Sequence, residues 1–477
     1  MNASAFRLYA VIVLLFAALV VQTSRWTVFE AEALRDNELN RRELLEEQRI
    51  RRGPIRARDG AVLARSVEGR GGTFSRRYPL GELFAHPVGY SFVDISRYEL
   101  EQSRNDELTG ERDDVGSIVD QLSGREREGD EVRTTLDVDA QRIAYDALAG
   151  QRGAVVALEP ATGRIRVMAS RPSFDPNALR RQGALRDLDR AEGSPLVNRT
   201  TMGQYPPGST FKVVTAVAAI DSGRYSEDST LDGSSPKTIS GAPLRNFGDA
   251  DYGTIPLTFA LTKSVNTVWA QVGVELGGET MQRYMERFGF YDRVEVDLPI
   301  RQRERSGVYV ARRGIQRMTS RRVDVGRVAI GQGGLLATPL QMAMVASAVA
   351  NGGTLMKPTL TERVVDRDGR TVERVEPEEL SDVMSETTAR TVGDMMASVV
   401  REGTGTAAAL AGFPVAGKTG TAEIIPAEDV NQPWFIGFAP RDDPRIAVAV
   451  TVERSLGGTG GEVAAPIAKR VMEALLR

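Results

Sequence analysis

Two of the six lysines in this 477-residue chain stand in short pieces that together could run serine chemistry. Ser209-Thr210-Phe211-Lys212 sets a hydroxyl and an amine three positions apart. Ser264-Val265-Asn266 offers a second hydroxyl beside a carboxamide, and Lys418-Thr419-Gly420-Thr421 adds a second amine among small hydroxylated residues. Lys and Arg total 61, so Arg fills nearly every other cationic position. A guanidinium stays protonated, whereas a buried, crowded ammonium can give up its proton near neutral pH. Lysine thus stands where a base is wanted and Arg would fail. The chemistry this suggests is acyl transfer through a serine nucleophile.

The local sequence says how the first piece is held. Tyr205-Pro206-Pro207-Gly208 cannot be helical, and Ser209 follows as a natural N-cap. The next residues predict a helix apolar on nearly all sides, and hence buried, so Lys212 has no easy path to water. Positions three apart share a helix face, which lets Lys212 reach the Ser209 hydroxyl. The helix N-terminus favours negative charge developing there, and burial with a second cation nearby lowers the Lys212 pKa towards that of a general base. Ser264 and Asn266, in a loop between two helix-like stretches, could relay a proton and bind a substrate amide. Around Lys418 the small residues would let a substrate backbone lie along a strand. Lys418 with the hydroxyls of Thr419 and Thr421 would hold a carboxylate. The backbone N–H groups of Ser209 and Thr421 would form an oxyanion hole. Taken singly, each piece also fits an ordinary N-cap or surface lysine.

Other chemistries fit less well. His86 is the only histidine and there is no cysteine, which argues against a Ser-His-Asp triad, a Cys nucleophile and a thiolate or multi-His metal site. No cofactor or metal is expected. A net charge of −3 does not suggest nucleic-acid binding. Gly412 to Thr419 matches the G-x-x-x-x-G-K-[ST] phosphate loop, which makes a nucleotide-binding protein the remote alternative. That loop needs a helix starting at the lysine, and the Gly and Pro after Lys418 predict none.

Leu8 to Val21 is an unbroken apolar run behind Arg7. Counted through Ser24, a helix there spans about 26 Å, slightly short of a hydrocarbon core of about 30 Å. No A-x-A site closes the run and Trp26 suits an interface, which favours an uncleaved anchor over a signal peptide. Arg7 would stay cytoplasmic, leaving the bulk of the chain extracytoplasmic. Residues 27–50 read as a helical stalk, and the charged segment 97–131 as solvated surface. From Gly153 onward, strand pairs at both ends of the sequence with helices between predict an α+β domain, an antiparallel sheet covered by helices. The organisation expected is a tip and transmembrane anchor at 1–26, a smaller domain at 27–150 and the catalytic domain at 151–477.

With these residues in place the chain resembles the class B penicillin-binding proteins, membrane-anchored peptidoglycan D,D-transpeptidases. Arg52-Gly53, Asp59-Gly60 and Leu63-Ala64 are similar to the family's opening motif, and Thr135-Leu136-Asp137 before Gln141 to its domain junction. Ala329-Ile330-Gly331-Gln332-Gly333, Thr338-Pro339-Leu340-Gln341 and Ala350-Asn351-Gly352-Gly353 resemble later landmarks. The short pedestal and the Tyr-Pro-Pro-Gly approach look like the compact actinobacterial form. Such families commonly carry Asp in the middle element, where Val265 stands here. The resemblance implies that Ser209, deprotonated by Lys212, attacks a D-Ala-D-Ala stem peptide, with Ser264 and Lys418 passing the leaving group's proton. It implies trapping by β-lactam antibiotics, membrane lipid around the anchor, a pedestal or dimerisation-like role for 27–150, and an integral-membrane glycan polymerase as partner. A D,D-carboxypeptidase, or a β-lactamase or β-lactam sensor of the same fold, is the alternative within that resemblance.

Overall fold

The computed structural model describes residues 3–24, 48–111 and 128–477. Most of the expected stalk, and Trp26, lie outside these residues. The later part of the chain is organised on one antiparallel sheet. Its strand order is Ala416–Ile425, Val430–Ala439, Ile446–Val452, Gly153–Leu158 and Ile165–Arg171, with Ser455–Leu456 beside the second strand. Ala449 pairs with Val156, so the two ends of the domain close in the middle of the sheet, as the strand patterns at both ends require.

Side chains alternate across this sheet and fill two cores. Val448 and Val450 point to a core with Ala140, Ala144, Ile467 and Val471, from the helices Val138–Ala147 and Ala465–Leu476. Ala447 and Ala449 point the other way, towards the buried helix Pro339–Ala350. Alanines on that face let the helix sit close. The helix starts cleanly because Thr338 accepts a bond from the Gln341 N–H and Pro339 needs none. The helix Lys212–Asp221 and the longer helix Asn266–Arg287 pack against each other in the same core.

The N-terminal sheet runs Thr371–Arg374, Thr361–Val365, Glu131–Thr134, Ile55–Arg56, Val62–Glu68 and Phe74–Arg77. The first two of these strands come from late in the chain, so a division near residue 150 splits the sequence but not this sheet. The expectation of a solvated segment at 97–131 holds for described residues such as Gln102, Asp106 and Glu111 but fails at two of its carboxylates. Glu99 and Glu101 are fully buried. Glu101 accepts hydrogen bonds from Arg52 at 2.9 Å and Arg76 at 2.6 Å, both themselves buried. Charge in the sequence did not signal exposure at Glu101 because its two arginine partners, far off in sequence, offset the desolvation.

Ala3–Ser24 forms one helix, starting earlier than the apolar run, and at 22 residues it covers about 33 Å. Its Phe6–Thr23 window has a mean hydropathy of 2.1 and no buried residue, so it is long and apolar enough to cross a bilayer.

Candidate active site

Pro207 and Gly208 end the extended approach, and Gly208–Phe211 forms a single 3₁₀ turn that runs into the helix Lys212–Asp221. Tyr205 exchanges backbone bonds with Ala337, Trp434 Nε1 donates to the Pro206 carbonyl at 3.0 Å, and Gly208 N–H donates to Gly331 O. These contacts from three directions fix the turn. Ser209 is not an N-cap, contrary to the sequence reading; it lies inside the turn and its side chain caps nothing. In a 3₁₀ turn residues i and i+3 eclipse, which brings Lys212 Nζ to 3.0 Å from Ser209 Oγ.

Ser264 sits between the helices Leu257–Thr262 and Asn266–Arg287 with φ +59°, a left-handed conformation rare for a serine. This kink delivers three groups to one amine. Lys212 Nζ donates to Asn266 Oδ1 at 2.7 Å and Ser264 O at 2.8 Å, and lies 3.2 Å from Ser264 Oγ. Val265, standing where Asp is common, turns into the core and is buried.

Lys418 lies in the strand Ala416–Ile425, paired opposite Ile436, and is fully buried. No helix starts there, so the phosphate-loop match has no structural counterpart. Lys418 Nζ donates to Ser264 Oγ at 2.9 Å and to Thr419 O at 3.0 Å. Gly420 is demanded by closeness: a Cβ there would stand 2.7 Å from Pro207 O and 3.0 Å from Thr210 Cγ2. The strand edge and the serine turn touch only because nothing projects between them.

All three pieces therefore meet at the base of one cleft of about 1110 Å³, whose walls include Ser209, Ser264, Asn266, Thr419 and Thr421. Lys418 lies beneath that wall, with Ser264 between it and the cleft. Thr404 and Thr419 share a hydroxyl–hydroxyl bond of 2.5 Å, and Gly460 N–H donates to Thr421 Oγ1. Thr404 and Asn246 were not singled out by sequence reading. Only the Gly-Thr-Gly-Thr run at 403–406 hinted at the former.

Burial, and then the charge of Lys418, hold the Lys212 pKa well below the usual lysine value; burial alone brings Lys418 to about 7. Among the described residues neither amine has a carboxylate within ion-pair distance. A neutral Lys212 has two N–H bonds and one lone pair. Asn266 Oδ1 and the Ser264 carbonyl are pure acceptors and use both N–H bonds, which leaves the lone pair to the two nearby hydroxyls, Ser209 at 3.0 Å and Ser264 at 3.2 Å. That arrangement can take a proton from Ser209.

Residues 153–473 match the family model for the penicillin-binding protein transpeptidase domain, and 52–132 that for the penicillin-binding protein A dimerisation domain. The chain belongs to the penicillin-binding protein family. It is 36% identical to the peptidoglycan D,D-transpeptidase PbpA of Mycolicibacterium smegmatis over 100% of this chain and 99% of the relative. The Mycobacterium tuberculosis protein of that name is 34% identical, with the same coverage. The ceftriaxone acyl-enzyme of M. tuberculosis penicillin-binding protein A superposes with a TM-score of 0.82 at 32% identity, over 91% of this chain and 100% of that one. The actinobacterial resemblance read from the motifs agrees with these relatives.

Proposed function

We propose that this protein is a peptidoglycan D,D-transpeptidase that works through an acyl-enzyme on Ser209. One observation carries the reading: the hydroxyl nearest the amine of Lys212, a buried lysine whose pKa is held well below the usual value, is that of Ser209, 3.0 Å away. Lys212 takes the Ser209 proton as Oγ bonds to the penultimate D-alanine carbonyl of a stem peptide. The N–H groups of Ser209 and Thr421 hold the oxyanion. The C–N bond then breaks, and the terminal D-alanine amine leaves with a proton passed from Lys212 and Lys418 through Ser264. The amine of a neighbouring stem attacks the ester, gives up a proton along the same route, and frees Ser209 as the cross-link forms. Thr419, Thr421 and the adjoining Gly420 backbone bind the donor peptide, and Asn266 holds Lys212 and then the substrate amide.

A β-lactam would acylate the same oxygen, its ring amide opening, as in the ceftriaxone acyl-enzyme of the relative. Ala3–Ser24 would anchor the chain in the cell membrane with its bulk on the outer side. Residues 27–150 would then act as a pedestal beneath the catalytic part at 151–477, beside an integral-membrane glycan polymerase. The test is intact-mass measurement of the full chain in detergent after exposure to benzylpenicillin. One penicilloyl adduct is expected, absent in Ser209→Ala; an equal adduct on that variant would overturn the assignment.

A further inference from the structure

Asn266 can present either face of its carboxamide to Lys212, and the choice decides whether Ser209 is activated. With Oδ1 forward it accepts from Lys212. Turned over, it would offer N–H bonds and capture the lone pair that Ser209 needs. What selects the productive face is a single bond: Asn266 Nδ2 donates to the Arg245 carbonyl at 3.0 Å. The Arg245 side chain is exposed and, among the described residues, pairs with Asp249 alone, so it does not hold that carbonyl in place.

The next residue does. Asn246 is 4% exposed, and its backbone N–H donates to Ser235 Oγ at 3.0 Å. Its Nδ2 donates to Gly233 O and Ala250 O at 3.0 and 2.9 Å, while Oδ1 accepts from Thr267 N at 3.0 Å and Thr267 Oγ1 at 3.2 Å. Thr267 directly follows Asn266 at the start of the helix Asn266–Arg287, whose own N-cap, Val265, has no polar side chain to satisfy the first turn. Asn246 therefore caps that helix from another segment, and in doing so locks the Arg245 carbonyl to the residue it must orient.

We propose that Asn246 is a positioning residue for acylation: by tying Arg245 to Thr267 it keeps Asn266 Oδ1 on Lys212 and the Lys212 lone pair on Ser209. This rests on the assignment of Ser209 and Lys212 above. Asn246 touches neither the nucleophile nor the base. Its effect runs through one carbonyl and one carboxamide.

The test is the rate of acylation of the full chain by a fluorescent penicillin, followed against pH. Asn246→Ala should slow acylation by about 10- to 100-fold. It should also move the acid limb of the profile to lower pH, because a turned Asn266 favours neutral Lys212. Simple loosening that admitted water would instead move the limb up, towards the ordinary lysine range. Asn246→Ser, which keeps one acceptor for Thr267, should fall between wild type and Asn246→Ala, and decides by the same two criteria if the alanine variant fails to fold. In the pair Asn246→Ala with Asn266→Ala, the second loss should vanish, since the residue being oriented is gone. A rate within twofold of wild type, an upward-moving limb, or fully additive losses would overturn the proposal. Labelling of Ser209→Ala would instead sink the underlying site assignment, so the two failures are distinguishable.

Discussion

Lys212 and Lys418 both approach the Ser264 hydroxyl, at 3.2 and 2.9 Å, one from the helix after the serine turn and the other from the edge strand of the sheet. Among the described residues Ser264 Oγ is thereby the only hydrogen-bond bridge between the two amines. The pair shares one low-dielectric pocket, in which a proton on one amine disfavours a proton on the other. The lysines differ in surroundings: Lys212 faces the nucleophile, whereas Lys418 is enclosed by its own strand.

Replacing Lys212 by Arg keeps the positive charge and removes the basicity. Acylation by a fluorescent penicillin should fall by about 10²- to 10⁴-fold, the usual worth of a positioned base, while the melting transition persists. Wild-type rates in Lys212→Arg would show that Ser209 is activated by something else.

Burial of Lys418 makes stability depend on pH in a defined direction. Its folded pKa of about 7 lies below the unbound value of 10.5. Between those values the unfolded chain holds the extra proton, so stability should rise with pH across the window, and the full penalty remains below it. Lys418→Met should raise the melting temperature by about 2–4 °C at pH 6, with the difference shrinking towards pH 10, and at the same time lose activity. A lower melting temperature at both pH values would contradict the account.

Glu99 gives the opposite slope. It is buried, accepts from Asn198 at 3.0 Å through one oxygen and has no partner on the other, so burial raises its pKa from 4.5 to about 8. The folded state holds the extra proton between those values, and stability should fall as pH rises through them. Glu99→Gln keeps the Asn198 contact and cannot ionise. It should leave the melting temperature at pH 5 nearly unchanged and raise it at pH 8.5; equal effects at both would refute the burial argument.

Gly420→Ala tests the contact between strand and turn. Its methyl group would press on Pro207 O and Thr210 Cγ2, and forcing such a fit costs about 1–3 kcal/mol. The variant should acylate slowly because the serine turn is displaced from the strand edge. Unaltered acylation kinetics would mean that the turn can give way freely.

Much of this protein could be read before its structure was known, and the reason is range. Ser209 and Lys212 are one turn apart, so their meeting follows from local helix geometry; only the nature of the turn, 3₁₀ and not a capped α-helix, was misjudged. The strand pairs at the two ends announced themselves through continuous apolar runs, and the scarcity of lysine marked both amines. What spacing could not decide was everything that depends on chain closure. Ser264 reaches Lys418 because the last strands pair back onto Gly153–Leu158 and carry the lysine under the cleft. Glu101 is buried because two arginines distant in sequence reach it, and Asn246 caps a helix that starts beyond its own loop. Residue type and short spacing are set by the chain alone; partners distant in sequence are set by packing, whose energy belongs to the whole fold.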